Sequence, residues 1–205
     1  MDIKEPSKAI TELMMLSQAY GTDRFHLMDA AINLDSDWLM RFCDLLAKQQ
    51  EKIKFSALAI PNMNTLLLDK LKNAGCVQLR WGVESGSERM LKKIHKGITK
   101  ESIKNTLAYA HLIGINNYIT LISGLEGELE SDVDETIAFI QEIAAYVDSA
   151  KECIYGELGH FSLAVFESLM NNLKVQRRES RYKDILGRLN IGQEDIIDFM
   201  TRSSF

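Results

Sequence analysis

Along this chain the spacing of apolar residues switches repeatedly between short runs and helical periodicity. Pro6 and Ser7 open a helix with Ser7 as its cap, Ile10, Leu13, Met14 and Ser17 on the inner face, and Gly21 at its end. The run FHLMDAAI at 25–32 reads as a strand with Asp29 near its end. Asp35 or Ser36 caps a helix to about Gln50, with Trp38, Leu39, Phe42, Leu45 and Leu46 facing the core. KFSALAI, at 54–60, is a second strand, broken by Pro61. Asn62 or Asn64 caps a short helix whose Leu66, Leu67 and Leu71 pack inward, and Gly75 stops it.

The stretch 77–99, VQLRWGVESGSERMLKKIHKGIT, carries the clearest switch. An apolar run at 77–83 breaks at Gly86, after which Met90, Leu91 and Ile94 share one helical face. Ser85 and Ser87 are candidate caps, and Glu88, three residues after Ser85, completes a capping-box pattern. The backbone N–H groups near Gly86 and Ser87 suit an anion. Thr99 caps a helix to about Ile113, closed by Gly114, and NYITLI at 117–122 is a strand. After the loop SGLEGELE, Ser131 caps a helix with Val133, Ile137, Ile140 and Ile143 inward. A further strand falls between Glu152 and Leu163, and 182–200 reads as two short amphipathic helices joined near Asn190, Ile191 and Gly192.

Strands near residues 25, 54, 77, 117 and 155 thus alternate with helices. Each crossover is long enough for a βαβ unit, so the class is α/β, with parallel strands and outer helices. The chain length of 205 residues suits one domain with a small appendage. The division falls as 1–168 for the strand–helix body and 169–205 for a helical C-terminal extension.

Composition narrows the function classes. The net charge of −5 argues against generic binding to nucleic acid or an anionic membrane. No window approaches the roughly 18 apolar residues of a membrane span, and the first residues lack signal-peptide character, so the cytoplasm is the expected location. Cys43, Cys76 and Cys153 are scattered singly, without the pairing of a zinc or redox motif, and read as packing residues. His26, His95, His111 and His160 stand at no metal-ligand spacing. There is no GxSxG, P-loop or Rossmann fingerprint.

GVESGS, followed by Leu91 and Lys96-Gly97-Ile98-Thr99, resembles the fourth strand and following helix of radical SAM enzymes, closest to the branch with cobalamin-binding and peptide-modifying members. The resemblance covers about residues 7–168. PSKAITELMMLSQAYG is similar to the helix after the family's first strand, FHLMDAAI to the second strand, KFSALAIPN to the third, and NYITLISGLEGE to the fifth. FSLAVFESLM is similar to a downstream segment of the branch. The resemblance implies a partial (β/α) TIM-like barrel of about five parallel strands.

It also implies S-adenosylmethionine as cofactor. Glu84 matches a position that hydrogen-bonds the ribose hydroxyls, since a carboxylate accepts from both. Lys96 matches a basic position near the cofactor carboxylate. Gly124 and Gly127 would let the backbone approach the adenine or methionine moiety, and Asp29 would face the interior near substrate or cofactor. Relatives usually carry Gly-x-Pro-Gly-Glu-Thr where this chain has Gly124-Leu125-Glu126-Gly127-Glu128-Leu129. Glu126 replaces the proline and Leu129 the threonine.

The family's chemistry needs a 4Fe–4S cluster held by thiolates in a CxxxCxxC loop after the first strand. That motif is absent from this sequence. Three expectations follow. The first is a radical SAM-like protein or fragment without radical catalysis on its own, whose cluster-binding portion is separately encoded or whose open barrel edge pairs with another chain. The second is a non-catalytic S-adenosylmethionine-binding or scaffold protein of the same fold. The third is an ordinary (β/α) enzyme binding an anionic metabolite at the helix N-termini after Glu84 and Gly124.

Overall fold

The alternation of short apolar runs with helical stretches folds as one parallel sheet backed by helices. The computed structural model describes residues 4–154, 188–189 and 192–193. In chain order the elements are α1 (Pro6–Tyr20), β1 (Arg24–Leu27), α2 (Ser36–Ala47), β2 (Lys54–Ala59), α3 (Thr65–Asn73), β3 (Cys76–Glu84), α4 (Glu88–Lys93) and α5 (Lys100–Leu112). They continue with β4 (Asn116–Ser123), α6 (Glu130–Ile143), a 3-10 turn (Ala144–Tyr146), β5 (Ser149–Ile154) and the two-residue β6 (Gly192–Gln193). The strands pair in the order β1-β2-β3-β4-β5-β6, every pair parallel. This is a partial TIM-like barrel. Among the described residues its sheet is open, and β1 has a hydrogen-bonded neighbour along one edge only.

Period-2 alternation divides each strand between two faces. On β3, Leu79, Trp81 and Val83 are fully buried against the helices, while Gln78, Arg80, Gly82 and Glu84 lie half-buried on the inner face. On β2, Phe55, Ala57 and Ala59 face the helices and Ser56 and Leu58 face inward. The core therefore sits between sheet and helices, where Leu39, Phe42, Leu46, Leu68, Leu71, Ile103, Leu107 and Ile140 meet those strand residues. One polar knot lies inside this layer. Buried Asn117 accepts from Trp81 Nε1 at 2.7 Å and donates to the carbonyls of Leu107 (2.8 Å) and Tyr146 (2.7 Å). It ties β3, β4, α5 and the 3-10 turn together, and each of its buried polar atoms finds a partner.

Caps follow the sequence at Asp35, Asn64 and Thr99, whose side chains accept from the first-turn amides of α2, α3 and α5. Several expectations are corrected. Glu5 precedes α1 without a side-chain cap, because Pro6 itself occupies the first helical position; Ser7 lies inside the helix. β1 ends at Leu27, so Asp29 lies beyond the strand. The chain leaves the sheet at Met28 and returns where Ile32 N–H donates to Leu58 O at 2.8 Å. Leu45 and Leu66 are exposed, because the inward stripes run through Leu39, Phe42, Cys43 and Leu46 and through Leu67, Leu68 and Leu71. Ser131 is no cap: α6 starts at Glu130, and Asp132 reaches back to the Leu129 amide at 2.7 Å. β5 begins at Ser149, earlier than the apolar pattern indicated. Gly192 and Gln193, where two helices were expected to join, pair with Ser149 and Ala150. The expected 168/169 boundary and FSLAVFESLM lie outside the described residues, as does most of the expected helical tail.

No helix among the described residues is long and apolar enough to cross a membrane.

Candidate functional site

The carboxyl end of β3 is shaped by an irregularity. The pairing with β4 shifts register between Gly82 and Glu84, so that Gly82 faces Thr120 and Glu84 faces Leu121. Glu84 adopts φ 67°, a left-handed conformation uncommon outside glycine. Its carboxylate receives Lys96 Nζ at 2.8 Å. The two side chains are 15% and 23% exposed, which leaves the pair reachable but shielded. Gly82 makes the space for it. A Cβ there would come within 2.6 Å of Glu84 Oε1 and 2.9 Å of Lys96 Nζ. Gly82 was not singled out by sequence, although a glycine inside a strand pattern marks a close approach.

Lys96 reaches the strand end because α4 is only six residues long. His95 (φ 52°) and Gly97 (φ 67°) then turn the chain through left-handed conformations. The sequence assigned Glu84 and Lys96 to different parts of one ligand; the structure places them in direct contact.

Below this pair, the turn after β3 is locked to the start of α6. Ser87 caps α4, and its hydroxyl donates to Asp132 Oδ1 at 2.7 Å. Arg89 Nε donates to the same oxygen at 3.0 Å, and Arg89 Nη2 bonds Asp132 Oδ2 and the Gly127 carbonyl (2.8 Å). The Gly86 amide donates to Thr136 Oγ1 at 3.0 Å, and the Ser87 amide to Ser85 Oγ at 3.1 Å. Ser85, Ser87, Asp132 and Thr136 are all buried. The expected anion site at these amides is therefore not available: both donors are already engaged. The expected Ser85–Glu88 capping box is not formed either, because Glu88 Oε1 instead accepts from the Lys100 amide at 2.9 Å and caps the following helix. The Arg89 guanidinium, with the Ser87 and Leu129 donors, holds the Asp132 carboxyl well below the usual carboxylate range. Sequence reasoning missed Asp132 and Arg89, which gave no signal beyond an acid in the first turn of a helix.

Gly124 (φ 79°) and Gly127 (φ 71°) both need their backbone freedom. The Gly124 amide donates to Glu128 Oε2 at 2.7 Å, and Lys93 Nζ donates to the Glu126 carbonyl. A Cβ on Gly127 would lie 2.3 Å from Lys93 Nζ. The β4–α6 loop is thus pinned onto α4 beside the Glu84–Lys96 pair. Asp29 is exposed beyond β1 at the same end of the sheet, apart from that pair.

The inner face below Glu84 is polar. His26 Nδ1 lies 2.8 Å from Ser56 Oγ, and Arg80 lies over the Tyr118 ring at 4.9 Å. Burial, with Arg80 adding to it, lowers the His26 pKa.

The Radical SAM superfamily model matches residues 2–140. The chain belongs to the radical SAM superfamily. The solved radical SAM methyltransferase TsrM from Kitasatospora setae superposes with a TM-score of 0.65 over 74% of this chain and 31% of its own, at 17% identity. Coproporphyrinogen III oxidase (HemN) from Escherichia coli gives 0.57 over 99% and 48%, at 19% identity. Among curated relatives, an uncharacterized methyltransferase of Pyrococcus horikoshii is 29% identical over 66% of this chain and 30% of its own length. The tRNA-2-methylthio-N(6)-dimethylallyladenosine synthase of Helicobacter acinonychis is 27% identical over 91% and 44%. The chain spans less than half the length of these relatives.

The superfamily implies two groups, and their fit differs. For S-adenosylmethionine, the strand end offers a carboxylate and an ammonium over a glycine that leaves room for them. For the 4Fe–4S cluster, the three cysteines do not stand together. Cys43 and Cys76 are buried, where desolvation pushes each thiol up to about 12, far from the thiolate iron requires. Cys153 is exposed, and among the described residues no group of three His, Cys, Asp or Glu is placed to hold a metal ion.

Proposed function

We propose that this chain forms the S-adenosylmethionine-binding wall of a radical SAM protein of the methyl- or methylthio-transferring kind. The observation that carries this reading is the Glu84–Lys96 pair at the carboxyl end of β3, 2.8 Å apart over Gly82. That end of the strands is where α/β sheets present ligands. Bound there, S-adenosylmethionine would supply a sulfonium-linked methyl and adenosyl group. Glu84 accepts hydrogen bonds from the ribose hydroxyls. Lys96, held beside Glu84, would supply the ammonium for the cofactor carboxylate. Gly124 and Gly127 present bare backbone at two positions of the adjoining loop, and Asp29 borders the mouth on the β1 side.

Iron–sulfur ligation, on this reading, comes from polypeptide other than these 205 residues. The edge of β1 that is unpaired among the described residues is where a further parallel strand would add. Anaerobic reconstitution of this chain is expected to leave no stoichiometric cluster; a stoichiometric 4Fe–4S centre with reductive cleavage of S-adenosylmethionine would overturn that assignment.

A second reading is a non-catalytic cofactor-binding or scaffold protein, favoured by the burial of Cys43 and Cys76. Calorimetry separates fold from function. Saturable S-adenosylmethionine binding that weakens roughly tenfold or more in Glu84→Ala supports the cofactor wall. Absence of binding leaves only the fold.

A further inference from the structure

Arg80 is a cation on the inner face of the sheet that the cofactor reading does not use. It sits four residues before Glu84 on the same face of β3, roughly 13 Å along the strand. Its Nε is buried and finds no hydrogen-bond acceptor among the described residues. No carboxylate pairs with it there either. Leaving a charged donor without an acceptor is costly, so such a group signals a missing partner.

The surroundings define that partner. Tyr118, directly opposite in the β3–β4 register, places its ring 4.9 Å from the guanidinium carbon, within cation–π range. Leu58 flanks it on β2. The next polar inner-face groups are Ser56 with His26 on one side and the buried Lys151, opposite Thr120, on the other. Of these, none is acidic, and the one carboxylate of the inner face of β3, Glu84, is neutralised by Lys96. Among the described residues the inner face around Arg80 thus offers its guanidinium no carboxylate partner. A guanidinium takes a carboxylate or phosphate through two oxygens.

We propose that Arg80 is the anchor for an oxyanion group of the substrate, held on the inner face of the sheet beneath the cofactor end. The assignment rests on the Glu84 cofactor site for the ligand's identity as substrate; the anion site itself stands on Arg80 and Tyr118. The substrate class is then a small or medium-sized molecule bearing a carboxylate or phosphate about a nucleoside's length from its reacting atom.

Arginine side-chain NMR tests this on the full chain labelled with ¹⁵N-arginine. The Arg80 Nε–H resonance is identified by its loss in Arg80→Lys. Inorganic phosphate and acetate are titrated separately, with His26 ring signals followed as a second reporter. A saturable shift of the Arg80 resonance with either anion is expected, with Arg89, paired to Asp132, unmoved. The His26 response is expected to weaken roughly tenfold or more in affinity in Arg80→Gln. Phosphate over acetate identifies a phosphate-bearing substrate, and acetate over phosphate a carboxylate. Glu84→Gln is expected to keep the anion response while weakening S-adenosylmethionine binding, so the two sites fail separately. No saturable shift of Arg80 with either anion, in protein that binds S-adenosylmethionine, overturns the proposal and leaves the cofactor reading intact. A retained Arg80 response in protein that binds no S-adenosylmethionine sustains the anion site and removes the cofactor reading.

Discussion

Glu84 Oε1 and Lys96 Nζ lie 2.8 Å apart over the bare backbone of Gly82, where a Cβ would come within 2.6 Å of the carboxylate. The pair can exist only because position 82 carries no side chain. Gly82→Ala is therefore expected to push both side chains aside. They are flexible at their tips, so stability should change by less than about 1 kcal/mol, while S-adenosylmethionine affinity falls roughly tenfold. Denaturant unfolding and calorimetry on the same sample check the separation.

Glu84 holds a left-handed conformation at φ 67°. An L side chain there costs about 1–2 kcal/mol. Replacing it by glycine relieves the strain, while alanine keeps it. Glu84→Gly is expected to be more stable than Glu84→Ala by about 1 kcal/mol after the entropy of the unfolded glycine is counted. Both variants should lose cofactor binding. Urea midpoints at constant slope read the difference.

Asp132 joins α6 to the turn after β3 through Ser87, Arg89 and the Leu129 amide. Asp132→Ala leaves those donors facing a gap and is expected to destabilise by about 2–4 kcal/mol. The folded carboxyl is held below its ordinary value, so its stabilisation is complete above the unfolded value of about 4. It is lost as pH falls from there toward the folded value. The stability gap between wild type and Asp132→Asn should accordingly narrow from about pH 5 downward. Chemical denaturation at several pH values measures it.

The strand–helix order was legible because period-2 and period-3.6 runs alternate cleanly, and caps at Asp35, Asn64 and Thr99 lie where their side chains predict. Leu45 and Leu66 misled because a run of leucines does not state which of them lie on the inward stripe. Asp29 reads as part of an apolar run, yet the chain leaves the sheet at Met28. Family resemblance singled out Glu84 and Lys96, each for a different part of one ligand. Their mutual contact was not legible, since it depends on two left-handed residues after a short helix. Asp132, Arg89 and Thr136 were not legible as a group, because the bonds that join α6 to the turn after β3 span more than 40 positions.

Cys43 and Cys76 are buried with thiols raised to about 12, whereas Cys153 is exposed. In native protein a thiol reagent at pH 8 is expected to modify Cys153 and to spare the other two until the chain unfolds. Mass spectrometry of the labelled peptides, with and without denaturant, gives the pattern.

The central claim is a cofactor wall built around Glu84, and isothermal titration of the purified chain with S-adenosylmethionine tests it most directly. Saturable binding to wild type that weakens roughly tenfold or more in Glu84→Ala, with the unfolding transition preserved, is the predicted result. Absence of saturable binding, or equal affinity in Glu84→Ala, would contradict it.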